Sequence, residues 1–136
     1  MGIAFGGGSL HGMAHVGVVK ALTEMGLRFQ FIAGTSAGCI IGVLAAAKMP
    51  YDEIHEVARQ IEWPGLMAIS WSRKGLLRHT KLRSLIDASL GNRQLEQLPI
   101  AFSAIATDIA TGERIVLRRG PAGEALGLHR LQQHRN

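Results

Sequence analysis

Apolar and polar positions change period several times along the chain, and each change marks an element. Met1–Phe5 is a short apolar run that reads as a strand. It empties into Gly6–Gly12, GGGSLHG, a glycine-rich loop. From Met13 the spacing turns helical, because Ala14, Val18, Ala21, Leu22 and Met25 fall at i, i+4, i+7, i+8 and i+11 and so share one face. Gly26 is a natural stop for that helix. Phe29–Ala33 is apolar nearly throughout, the pattern of a strand covered on both faces. Gly34–Gly38 reads as a turn. Cys39–Lys48 reads as a helix of small and apolar residues suited to tight packing under a sheet, ended by Pro50.

The second half is less regular. Asp52–Glu62 predicts an amphipathic surface helix, whereas Trp63–His79 has no clean period. Thr80 is placed to cap a helix from Lys81 to Leu90, with Gly91 after it. Ile100–Thr107 predicts a third strand, and Thr111-Gly112 marks a turn into a fourth, Arg114–Arg118. Pro121 opens a last helix running to Leu128. Strand and helix in alternation predict an α/β fold with a mostly parallel sheet. Strand one then feeds the glycine loop, and strand two feeds the turn at Ser36.

Composition narrows the classes. A length of 136 residues allows one domain, and 47% hydrophobic against 18% charged residues excludes a disordered chain. The single cysteine, Cys39, excludes an internal disulfide framework and a thiolate zinc cage, and it reads as a small core residue. No H-E-x-x-H or comparable spacing joins the histidines, so no metal is expected. The charge of +5 favours an anionic surface such as phospholipid or nucleic acid, and aromatic residues at 5% are poor material for stacking on bases, which counts against nucleic acid. The first five residues lack the cationic region of a secretory signal. Phe29–Ala47 carries no formal charge and has nearly the length of a bilayer span. Gln30, Thr35, Ser36 and three glycines within it favour a strand, a turn and a buried helix instead. The expected location is cytoplasmic, peripheral at a membrane.

Two motifs carry chemistry. Gly34-Thr35-Ser36-Ala37-Gly38 is G-x-S-x-G between a predicted strand and a predicted helix, the context of a nucleophile elbow. Such a turn lifts the serine Oγ out of the sheet, needs small neighbours two residues away, and aims the positive end of the following helix at the site. The competing reading is a small-residue strand–helix turn without chemistry. The Gly6–Gly12 loop leaves backbone N–H groups bare, and acyl transfer needs such donors where negative charge develops. The competing readings here are phosphate loops. A Walker loop needs G-K-[ST], and Gly12 is followed by Met13 and Ala14. A dinucleotide fingerprint needs a third glycine where His11 stands, and an acidic residue where Ala33 ends the second strand.

Together these residues resemble the patatin-like phospholipase family. Gly6, Gly7, Gly8 and Gly12 match its G-G-G-x-x-[RK]-G oxyanion loop, with His11 in place of the basic residue, and Ser36 matches its nucleophile. Ala104-Ile105-Ala106-Thr107-Asp108 with Thr111-Gly112 looks like the A-T-D-x-x-T-G stretch common in bacterial members. The resemblance implies an α/β sandwich and a serine lipid acyl hydrolase of phospholipase A type. Ser36 would attack, the Gly6–Gly8 N–H groups would hold the oxyanion, an aspartate would act as base, and no cofactor would be needed. In the family that aspartate lies in a distant D-G-[GA] motif. Here the three aspartates are Asp52, Asp87 and Asp108, none of them in such a motif. The expectation is a partial patatin-like domain over residues 1–126, incomplete at its C-terminus, and an aberrant tail over residues 127–136. The rival reading is a catalytically dead fragment, or a lipid-surface binding module, that keeps the elbow without the base. Asp108 is a conceivable substitute base but reads as a turn-initiating residue. His11 reads as a polar loop contact and His15 as a helix-surface residue.

One stretch bears on the partner. From Trp63 to Arg83 there is no acidic residue, while Trp63, Trp71 and several aliphatics alternate with Arg73, Lys74, Arg78, Lys81 and Arg83. That mixture suits an anionic membrane surface. It equally suits a loop that folds its apolar residues onto the core.

Overall fold

The computed structural model describes residues 1–8, 11–63, 73–108 and 110–126, with side chains from position 77 onward in the helix that begins at Arg73. Four strands form one sheet in the order β1 (Gly2–Phe5), β2 (Phe31–Thr35), β3 (Ala101–Thr107) and β4 (Arg114–Leu117). The first three are parallel, with Ala4, Ala33 and Ser103 side by side, and β4 returns antiparallel to β3. The α/β fold with a mostly parallel sheet is therefore the one expected. β2 starts two residues later than the apolar run suggests. The Gln30 N–H is spent on the Met1 carbonyl at 3.0 Å, and its side chain accepts from the chain's amino terminus at 2.6 Å.

Among the described residues five α-helices accompany the sheet, α1 (Gly12–Glu24), α2 (Ala37–Ala46), α3 (Tyr51–Arg59), α4 (Arg73–Leu90) and α5 (Ala122–Leu126), with a short 3-10 turn at Leu95–Gln97. The core is built on α2. Nine of its ten residues are buried, and its glycines let it lie close on the sheet. A Cβ at Gly42 would stand 3.1 Å from the Phe102 ring and 3.4 Å from Ile32 and Phe5 side-chain carbons. From α4, Leu82, Ile86 and Leu90 at i, i+4, i+8 join the same core. Residues 29–47, nearly the length of a bilayer span, divide into β2 and α2. Among the described residues no helix is long and apolar enough to cross a membrane.

Four local expectations fail. α1 buries Gly12 and Val16, not the face of Ala14, Val18, Ala21, Leu22 and Met25, of which Leu22 alone is half-buried and Met25 is 70% exposed. Both faces of this helix are apolar, and the one that meets α2, α3 and Trp63 is the one covered. β2 is covered on one face only among the described residues, since Ile32 and Gly34 are buried while Phe31 and Thr35 are exposed. α4 begins at Arg73 and runs through Gly75 and Thr80, so Thr80 is helix interior rather than a cap. Pro50 does not end α2. Lys48 does, at φ 56, and Pro50 instead precedes α3 as its N-cap. The Met49 N–H reaches back to the Leu44 carbonyl at 3.3 Å. The same six-to-one bond closes α1 beyond Gly26, at φ 72, and α4 beyond Gly91, at φ 63.

Candidate active site

The site begins where β2 ends. Thr35 closes the strand, Ser36 reverses the chain at φ 53 and ψ −125, and α2 starts at Ala37. The Cys39 N–H bonds to the Ser36 carbonyl at 2.9 Å, so the helix is closed from its first turn. A non-glycine residue at positive φ costs roughly 1–3 kcal/mol and persists only where its surroundings fix it. Two glycines do the fixing. A Cβ at Gly34 would lie 2.5 Å from the Gly38 carbonyl oxygen and 2.6 Å from the Cys39 Cα, so Gly34 lets α2 fold back onto its own strand. A Cβ at Gly38 would strike the Phe5 carbonyl oxygen and come within 2.5 Å of the Gly6 carbonyl oxygen. Gly38 therefore brings the start of α2 against the end of β1, where the glycine loop opens.

Gly6, Gly7 and Gly8 are exposed. A Cβ on Gly7 would stand 3.3 Å from the Ser36 Cβ and 3.8 Å from its Oγ, so the loop passes directly beside the serine. Gly8 sits at φ 141, and the His11 N–H closes the turn onto the Gly8 carbonyl at 2.7 Å. The His11 Nδ1 lies 3.0 Å from the same oxygen, a loop contact as expected. His15 departs from expectation. Its Nε2 donates to the Gly6 carbonyl at 2.8 Å, and its ring meets Phe5 edge-on with centroids 5.2 Å apart. Gly12 has a different task from the other loop glycines, since a Cβ there would run into the six-membered ring of Trp63.

Trp63 corrects the membrane reading of its segment. It is 7% exposed, and its indole N–H donates to the Ala58 carbonyl at 3.0 Å, so it supports the first turn of α1 and does not face a lipid surface. Arg78 pairs with Glu62 at 3.7 Å. Trp71 and the side chains of Arg73 and Lys74 lie outside the described residues, as do residues 127–136.

The remaining candidates have structural duties. The Asp108 carboxylate accepts the N–H groups of Ala110 at 2.8 Å and Thr111 at 3.3 Å, which makes it the turn residue its sequence suggests. Asp87 accepts the Gly123 N–H at 3.1 Å and pairs with Arg83, and Asp52 is exposed in the first turn of α3. Cys39 is buried beside the elbow, and burial pushes its thiol up to about 12, so it stays a neutral core residue at physiological pH. Among the described residues no cluster of three metal-ligating side chains exists.

The chain is thus an α/β protein with a mostly parallel sheet, in which a tight strand–Ser36–helix turn stands beside a glycine loop. The chain belongs to the patatin-like phospholipase family, whose pattern matches residues 3–126. An uncharacterized NTE family protein of Mycobacterium tuberculosis is 35% identical over 128 residues, covering 91% of this chain and 35% of its own. A patatin-like phospholipase domain-containing protein of Caenorhabditis elegans is 33% identical over 128 residues, covering 89% of this chain and 9% of its own. Patatin-like phospholipase domain-containing protein 7 of Rattus norvegicus is 31% identical over 115 residues, covering 79% and 8%. The chain thus spans about a third or less of the length of these relatives.

Proposed function

We propose that residues 1–126 carry the nucleophile and oxyanion half of a serine lipid acyl hydrolase of phospholipase A type. The observation that supports this most is Ser36 at φ 53, wedged between Gly34 and Gly38 with Gly7 against its side chain. In the proposed reaction Oγ bonds to the acyl carbonyl carbon and the carbonyl π pair moves onto oxygen. N–H groups of Gly6–Gly8, with the N-terminal end of α2, stabilise that charge. Collapse of the adduct expels the lysolipid alkoxide, which takes a proton, and water then releases the fatty acid. The Ser36 proton needs an acceptor, which in the family is the aspartate of D-G-[GA]. None of Asp52, Asp87 and Asp108 is in such a motif, and Asp108 is spent on its turn. That favours a second reading for these 136 residues alone, an elbow with a slow nucleophile. Oxyanion stabilisation and binding without the base leave about 10³–10⁴-fold over water in a triad enzyme.

A fluorophosphonate probe separates the two. Labelling at Ser36 that disappears in Ser36→Ala supports a competent nucleophile, whereas folded protein that stays unlabelled supports the second reading. The partner proposed is an anionic phospholipid surface met through Arg73, Lys74 and Arg78 with Trp71, and without Trp63. Sedimentation with liposomes should then strengthen with anionic lipid and weaken with salt, because surface attraction is screened over about 10 Å at 0.1 M. Equal binding to neutral and anionic vesicles would refute it.

A further inference from the structure

We propose that His15 is a positioning residue that locks the Gly6–Gly7 peptide with its carbonyl toward α1, which holds the Gly7 N–H on the opposite side as an oxyanion donor. The inference rests on reading Ser36 as the nucleophile. The imidazole Nε2 is 2.8 Å from the Gly6 oxygen, and the Phe5 ring braces the imidazole edge-on. A trans peptide is planar, so its C=O and the next N–H point in opposite directions, and fixing one fixes the other. Glycine on both sides makes this peptide prone to flip, since neither residue resists positive φ. A flipped peptide would exchange the N–H for a carbonyl oxygen at Gly7, where an added Cβ would stand 3.3 Å from the Ser36 Cβ, and that oxygen would repel developing negative charge. His15 sits within the first two turns of α1, so the helix that leaves the loop reaches back to set the loop's geometry.

Two variants of the full chain test this. His15→Phe keeps a ring against Phe5 and removes the donor. His15→Gln places an amide N–H near the position of Nε2. The first measurement is the nuclear magnetic resonance shift of the Gly6 carbonyl carbon and Gly7 amide, which needs no activity. Both should move in His15→Phe and return toward the original values in His15→Gln. The second is the rate of fluorophosphonate labelling of Ser36. It should fall about tenfold to a hundredfold in His15→Phe, short of the 10²–10³-fold loss of a whole donor, and recover in His15→Gln. Unmoved Gly6 and Gly7 resonances in His15→Phe overturn the lock. Moved resonances with an unchanged labelling rate overturn its role in the site. If the unmodified protein is never labelled, the reading of Ser36 fails and the role of Gly7 falls with it, whatever the resonances show. Should His15→Phe not fold, His15→Asn, whose amide is too short to reach, takes its place.

Discussion

Gly38 shows most directly how much of the site rests on single atoms. A methyl group there meets the Phe5 and Gly6 carbonyl oxygens, both backbone atoms with little room to yield. We expect Gly38→Ala to cost about 1–3 kcal/mol or more, as overpacking does, and to abolish labelling of Ser36. A denaturant melt unchanged from the parent protein would show that the elbow and the glycine loop are not in contact. The glycines and Ser36 were readable because a strained turn writes its needs into adjacent positions. His15 was not, because its partner is a backbone carbonyl nine residues back, and no side-chain pattern records a bond to the main chain. The signal available was its place one turn beyond the glycine loop. Trp63 stayed open between two readings for a related reason, since an aromatic among cations has the same composition whether it faces lipid or core.

At the level of elements, three helices end with the same six-to-one bond, and two of them have glycine at the left-handed position. The third has Lys48, exposed and at φ 56, with the Cβ penalty that glycine avoids. Lys48→Gly should therefore stabilise the protein by about 0.5–1 kcal/mol, read as a rise in thermal midpoint. A lower midpoint would mean that the Lys48 side chain contributes more than its backbone costs. Element type was legible nearly everywhere, since strand and helix periods differ so plainly. Which face of α1 turns inward was not. Ala14, Val18, Ala21 and Met25 form the more regular stripe, yet Val16 and Gly12 are covered because the neighbours α2, α3 and Trp63 lie on their side. The helix beginning at Arg73 was hidden by Gly75 and by Thr80, a residue type that favours caps but here stands inside the helix.

Over the whole molecule, the apolar surface is unevenly distributed. Among the described residues β1 and β4 end the sheet, and large apolar side chains are exposed at Met1 before β1, Val18 on α1, Met25 and Leu27 in the chain that joins α1 to β2, and Phe31 at the start of β2. Unpaired edges beside apolar surface invite association. Light scattering should show mass rising with protein concentration, and Val18→Lys with Met25→Lys should suppress the rise. A strictly monomeric parent at high concentration would count against this. The one-sided cover of β2 among the described residues was not legible in its sequence, because Phe31, Ile32 and Ala33 are apolar whichever face is covered.

The backbone at Ser36 also sets a competition between endurance and chemistry. Glycine accepts φ 53 without penalty, so the residue that suits the fold best at this position is one that cannot react. Ser36→Gly and Ser36→Ala both remove the hydroxyl, yet only the first relaxes the main chain. Ser36→Gly should be more stable than Ser36→Ala by about 1 kcal/mol, after the extra freedom of glycine in the unfolded chain is set against the strain released. Equal melting of the two would mean that the turn holds no strain. A deficit of the expected size would measure how much folding stability the molecule forgoes to keep a hydroxyl at the tip of β2.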